Sequence, residues 1–291
     1  MRDLLELVRI KHWLKNILIF LPIFFSVNLK NPYYLKISLL AFIIFCLSSS
    51  IVYIVNDIND LEKDINHPIK KNRPLASKKV SKQNAYIIIC ILSIICLFLI
   101  VYMYNKINSI LVIIIPVIYI IINILYSYIL KNIPIIDVGI IVSGFVLRVM
   151  YGGVVTNIEV SKYLYLMIIF GAFFLGFGKR RNEILKNGTK SRKSLDLYNK
   201  EFLDKNMYVM LGLAVVSYTL WCVDKNTISR VGNDYLFWTI PLVIIILQLY
   251  SLNIEGNSYG DPIEVILSDK KLILTGLIYG IIMFILLYMT Q

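Results

Sequence analysis

Long apolar runs separated by short polar segments dominate this chain. Tyr86–Tyr104 carries no charge in 19 residues, Ser109–Leu130 none in 22, and Lys271–Gln291 none after its first residue. A helix of about 20 apolar residues crosses a bilayer. Hydropathy predicts nine such helices, at 14–29, 35–56, 84–104, 108–130, 134–155, 161–178, 206–223, 234–252 and 271–289. The first has the weakest pattern, because Pro22 interrupts it and Lys15 must reach back to the interface. Two long polar loops, 57–83 and 179–205, interrupt the apolar series. The reading is an all-α integral membrane protein, a single domain over 1–291.

Composition agrees. Hydrophobic residues make up 58% of the chain and charged residues 16%, against about 25% charged in soluble domains. A soluble α/β enzyme, a disulfide scaffold and a nucleic-acid-binding domain are excluded, despite a net charge of +12. Cys46, Cys90, Cys96 and Cys222 all fall in apolar stretches and form no C-x-x-C pair. They read as small core hydrophobes. No signal peptide is expected, since Arg2, Asp3, Glu6, Arg9, Lys11 and Lys15 interrupt the N-terminal region.

Lysine and arginine in the connections set the orientation. With the N-terminus inside, the inner segments hold 23 basic residues and the outer ones 6, Arg148 being inside a span. The N-terminus is expected in the cytoplasm and the C-terminus outside, with both long loops on the cytoplasmic face.

The first of these loops opens on acids. Asn56-Asp57-Ile58-Asn59-Asp60-Leu61-Glu62-Lys63-Asp64 follows the second span. If the helix continues for two turns, Asp57, Asp60 and Asp64 share one face and Asn56 stands beside Asp60. Carboxylates at a helix C-terminus are disfavoured by the helix dipole, so something must offset them. Oxygen-only ligands suit Mg²⁺, which takes one or two carboxylates plus substrate phosphates. The alternative is a solvated cap neutralised by Lys63, Lys70 and Lys71. Downstream, His67-Pro68-Ile69-Lys70-Lys71-Asn72-Arg73-Pro74 combines rigidity with cations, suited to a metal-bound diphosphate. His67 itself reads as a hydrogen-bonding or capping residue.

Arg148 is a second anomaly. A charge within a span costs at least ~2.5 kcal/mol, and such residues mark substrate paths. It lies eleven residues beyond Asp137, returning nearly to the same helix face, so both are expected in one groove. A structural ion pair inside the bundle is the alternative. The glycines at 152, 153, 171, 176 and 178 read as close helix packing.

N-D-x-x-D-x-x-x-D after an apolar helix, followed by H-P-x-K-x-x-R-P, resembles the first aspartate motif of the UbiA prenyltransferase superfamily. That resemblance implies nine membrane helices around a cytoplasmic, Mg²⁺-dependent diphosphate site, with Mn²⁺ as a substitute. Asn56, Asp57, Asp60 and Asp64 would be the metal ligands. The superfamily's usual second D-x-x-x-D motif is missing. In its place stand Tyr126 and Lys131, then Asp137, Arg148 and the run Lys179-Arg180-Arg181-Asn182-Glu183. With Arg9-x-x-His12-Trp13-x-Lys15-Asn16, these are similar to the branch that transfers 5-phosphoribose from phosphoribosyl diphosphate to a decaprenyl-type polyprenyl phosphate. The resemblance implies a bacterial inner-membrane enzyme of the cell envelope. Asp57, Asp60, Asp64 and Asp137 would be catalytic. Lys15, Asn16, Asn56, Lys70, Arg73, Tyr126, Lys131, Arg148, Lys179, Arg180, Arg181 and Glu183 would contact substrate. Phosphates at both ends of the donor, and another on the acceptor, rationalise cations where relatives carry a second acidic motif. Two rivals are a prenyltransferase acting on an aromatic acceptor, and a transporter. A transporter should carry paired broken helices in repeated halves, and no internal repeat is visible.

Overall fold

A computed structural model describes residues 2–66, 70–187, 193–256 and 262–289. Among them, eight helices are long and apolar enough to span a membrane. We number them α1 (Pro32–Asn59), α2 (Lys82–Ile107), α3 (Leu111–Tyr128), α4 (Ile136–Thr156), α5 (Lys162–Asn187), α6 (Lys200–Val223), α7 (Tyr235–Glu255) and α8 (Lys270–Tyr288). The described residues contain no strand. Caps mark several ends: Asn31, Ser81, Asn199 and Asp269 accept from backbone N–H groups at the starts of α1, α2, α6 and α8.

The span expected at 14–29 is not a regular long helix. Ile10–Phe20 forms a 3₁₀ run, and Leu21–Phe25 adds one short α-helical stretch containing Pro22. Runs of 3₁₀ helix this long are uncommon because side chains eclipse and hydrogen bonds are poorer. Tertiary contacts hold this one. A Cβ on Gly152 of α4 would lie 2.2 Å from the Ile19 carbonyl oxygen, so only glycine permits that approach. Gly171 has nothing within 4 Å of where its Cβ would be, so close packing does not explain it.

The chain divides into two compact units. The first comprises Met1–Ile23, Leu29–Lys131 and Leu147–Ile158. Its core joins α1, α2, α3 and the end of α4 through Phe45, Met103, Ile115 and Tyr151. A smaller apolar cluster of Leu7, Ile54, Leu75, Val80 and Ala85 ties the N-terminal segment and the loop before α2 to the polar end of α1. The second comprises Phe24–Asn28, Asn132–Val146 and Glu159–Gln291. There Val138, Phe174, Phe177, Leu203, Met207 and Ile254 gather the start of α4 with α5, α6 and α7. The same core takes Leu195 and Tyr198, so part of the basic loop is packed rather than solvated.

Large exposed apolar side chains are abundant, as on α2, where Ile94, Leu97 and Phe98 are 63–69% exposed. Such surface is stable only against lipid. Cys90 belongs to it. It is exposed, unlike the buried Cys46, Cys96 and Cys222, which corrects the expectation of four core cysteines.

Candidate functional site

In the first unit, α1 carries Asp57 to 3% exposure and then stops at Asn59. Asp60 leaves helical geometry (φ −92°, ψ 6°), and Leu61–Ile65 restarts as a separate short helix. The continuous acidic helix face is therefore corrected. The break has a local cause: three carboxylates would otherwise prolong a helix against its own dipole. Asn59 secures it by donating to the Ser127 carbonyl at 2.8 Å.

The break sorts the three aspartates. Asp60 turns to Lys131, whose ammonium lies 2.6 Å away. Asp64, again 3% exposed, faces the same guanidinium as Asp57. Nη1 of Arg73 is 2.6 Å from Asp64 Oδ2 and 3.1 Å from Asp57 Oδ1. Arg9 adds a second ion pair to Asp57 and lies over the Tyr53 ring, 4.9 Å from its centroid. The three aspartates are paired with Arg9, Arg73 and Lys131, cations that lie outside the helix end itself. Among the described residues, no three His, Cys, Asp or Glu side chains gather closely enough to hold a metal. What does converge is a pair of buried carboxylates on one nitrogen. His67 lies outside the described residues.

Deeper in the same unit, Arg148 is 4% exposed. Its Nε donates to Asn16 Oδ1 at 2.7 Å and its Nη2 to the Tyr119 hydroxyl at 3.0 Å, with the guanidinium over the Tyr119 ring. Asn16 in turn donates to Cys46 Sγ and Ser49 Oγ. Trp13 Nε1 donates to Ser50 Oγ at 3.0 Å. Side chains thus anchor an irregular backbone segment within the bundle, as backbone outside α-helical geometry requires at membrane depth. Arg148 and Asn16, expected at a substrate, are engaged in that anchoring.

In the second unit, Asp137 is fully buried and meets Arg180, 1% exposed, at 2.5 Å. Arg180 also reaches Glu183 at 2.7 Å. Tyr198 donates to Asp137 at 2.8 Å and accepts the Ile135 N–H. Ile135 has φ 69°, a strained value for a β-branched residue, so Tyr198 clips a strained turn at the head of α4. Burial pushes the Tyr198 hydroxyl above its ordinary pKa, and its bond to Asp137 adds to the rise. Arg181 pairs with Asp204 at 2.5 Å, and Asn182 donates to the Ile254 carbonyl. Asp137 and Arg148, expected in one groove, have different bonding partners. Arg180, Arg181 and Glu183, expected at substrate, lie in internal pairs.

Lys15, Asn56, Lys70, Tyr126 and Lys179 are half-buried.

The family model for the UbiA prenyltransferase family matches residues 18–263. The chain belongs to the UbiA prenyltransferase family. Decaprenyl-phosphate phosphoribosyltransferase of Corynebacterium glutamicum is 34% identical over 279 residues, covering 92% of this chain and 82% of that protein. Its namesake from Mycolicibacterium smegmatis is 31% identical over 284 residues, covering 92% and 87%. Among solved structures, a UbiA homolog from Archaeoglobus fulgidus bound to GPP and Mg²⁺ aligns with a TM-score of 0.70 at 20% identity, covering 98% of this chain and 96% of that one. At that identity the likeness establishes the fold.

For a UbiA-family chain, the sequence reading missed Arg9 as part of the acidic site, although it opens the Arg9-x-x-His12-Trp13 motif. It also missed Ser49 and Ser50, whose signal was three consecutive serines in an apolar span. Tyr198 and Asp204 had no signal at all, since both act only through bonds to residues distant in the chain.

Proposed function

We propose that this chain is a membrane phosphoribosyltransferase. It transfers 5-phosphoribose from phosphoribosyl diphosphate to a polyprenyl phosphate of the decaprenyl type and releases diphosphate. The observation that carries the reading is similarity to decaprenyl-phosphate phosphoribosyltransferases over 92% of the chain. The enzyme works as one UbiA-like domain in a bacterial cytoplasmic membrane, N-terminus inside, with its site facing the cytoplasm.

The donor set fits Mg²⁺. Asp57 and Asp64 are buried carboxylates already directed at one cationic nitrogen, and hard oxygen ligands suit this ion. Asp57 and Asp64 would hold it, with Asp60 and Asn56 alongside. Bound Mg²⁺ would neutralise charge on the departing diphosphate. Arg9, Arg73, Lys70 and Lys131 supply cations to that same diphosphate. A lipid phosphate oxygen attacks ribose C1 as the bond from C1 to the diphosphate oxygen breaks. The acceptor is already anionic, so no strong general base is required. Lys179 is the basic-run cation we assign to the 5-phosphate, and Tyr126 orients the ribose.

The deciding assay combines purified protein, Mg²⁺, labelled phosphoribosyl diphosphate and polyprenyl phosphate, with label counted in the lipid phase. Lipid-borne label is expected. Absence of label, with consumption of geranyl or farnesyl diphosphate and an aromatic acceptor, would replace this reading with prenyl transfer. Orientation is tested in a cysteine-free background. Ser194 is fully buried and unsuited to a probe, whereas Leu197 is 75% exposed. A cysteine at Leu197 should resist an impermeant thiol reagent in intact cells, and one at Asn157 should react. The reverse pattern would put the aspartates outside.

A further inference from the structure

Arg73 holds two carboxylates with one nitrogen, at 2.6 and 3.1 Å. Asp57 and Asp64 are each 3% exposed, whereas the Arg73 side chain is 26% exposed. Facing carboxylates at that burial repel strongly and need a cation between them. Arg9 engages Asp57 as well. Two arginines and two aspartates sum to zero formal charge. A divalent ion added to this balanced set leaves an excess of two positive charges unless a guanidinium departs or an anion enters.

The backbone beneath Arg73 is held independently of its side chain. The N–H and hydroxyl of Ser77 both donate to its carbonyl at 2.8 Å, and its own N–H donates to Lys70 at 2.9 Å. Pro74 follows with a fixed φ. The guanidinium can therefore swing on its flexible stem while its Cα stays anchored. Its planar fork also matches phosphate oxygens.

We infer that Arg73 is a placeholder cation that clasps Asp57 and Asp64 before metal binds, then exchanges onto the substrate diphosphate as Mg²⁺ takes the carboxylates. The inference rests on the metal-dependent reading above. Arg73 is thus a positioning residue that couples two ligands. Metal displaces it from the aspartates, diphosphate receives it, and each ligand strengthens the other reciprocally.

The test follows the melting temperature of the purified full chain against MgCl₂, with and without inorganic diphosphate. Relative to wild type, Arg73→Gln should melt lower without metal. It should reach half-saturation at roughly tenfold less MgCl₂ when diphosphate is absent, since one charge-assisted contact no longer competes. The enhancement of Mg²⁺ affinity by diphosphate should shrink by a similar factor. Arg73→Lys, which keeps the charge and loses the fork, should fall between. If Arg73→Gln is not recovered folded, the same titration of Arg73→Lys decides: a lowered Mg²⁺ midpoint supports the exchange, and an unchanged one overturns it. An Arg73→Gln protein needing as much Mg²⁺ as wild type also overturns it, while leaving the metal site standing. A wild type unresponsive to MgCl₂, with or without diphosphate, would remove the metal site and the exchange together.

Discussion

Around Asp57 and Asp64 the cations keep a path to water, with Arg9 17% and Arg73 26% exposed. Around Asp137 they do not, since Arg180 is 1% exposed and the carboxylate 0%. Both regions sit at polar helix ends, and both read from sequence as phosphate chemistry. Their ion pairs differ in what they can release. A part-exposed guanidinium can trade a carboxylate for a phosphate and stay solvated during the trade. A buried one would leave an uncompensated charge behind, a loss of roughly 3–5 kcal/mol. Arg9 and Arg73 in the first unit are therefore available to a ligand, whereas Arg180 in the second is committed to tying α5 to the head of α4.

The sharpest way to break that comparison is to delete the buried pair. Arg180→Ala, or Asp137→Asn, should destabilise the protein by roughly 3–5 kcal/mol, read as a fall in melting temperature and in detergent-stable yield. A normally stable Arg180→Ala protein with poor donor binding would return Arg180 to the substrate and erase the contrast.

Next in size is the acidic site. Asp57→Asn or Asp64→Asn should lower turnover by at least ~10²-fold while leaving the fold intact, if the metal provides several kcal/mol of leaving-group stabilisation. Near-normal turnover in EDTA, with the protein folded, would contradict this. Lys179→Ala then separates the two roles of the basic run. Phosphoribosyl diphosphate should bind about tenfold more weakly, inorganic diphosphate should be less affected, and stability should hold. Equal losses for both ligands would make Lys179 part of the diphosphate clamp.

The smallest effect concerns the Tyr198 clip. Its folded pKa lies above the unfolded value of about 10. Its contribution is therefore fully present below pH 10 and is lost as pH rises through the folded value. Tyr198→Phe should cost roughly 0.5–1.5 kcal/mol at neutral pH and flatten part of the alkaline decline in stability. An unchanged decline would assign it to other groups.

Local pattern carried far in this chain, and it failed where pairing is long-range. Runs of about 20 apolar residues must become helices in lipid, because no other single segment satisfies its own backbone there. Eight membrane helices were legible on that ground, as was the aspartate motif that places the chain among its relatives. The segment at 10–20 was not, since its 3₁₀ geometry depends on glycine at 152 and on the bond from Arg148 to Asn16, 132 residues apart. Nor could periodicity say which acid meets which cation. Asp57 meets Arg9 across 48 positions and Asp60 meets Lys131 across 71. Composition announces the charges. Only packing determines which of them remain free to meet a ligand, because an ion pair is set by distance and burial, and neither is a property of neighbouring residues in the chain.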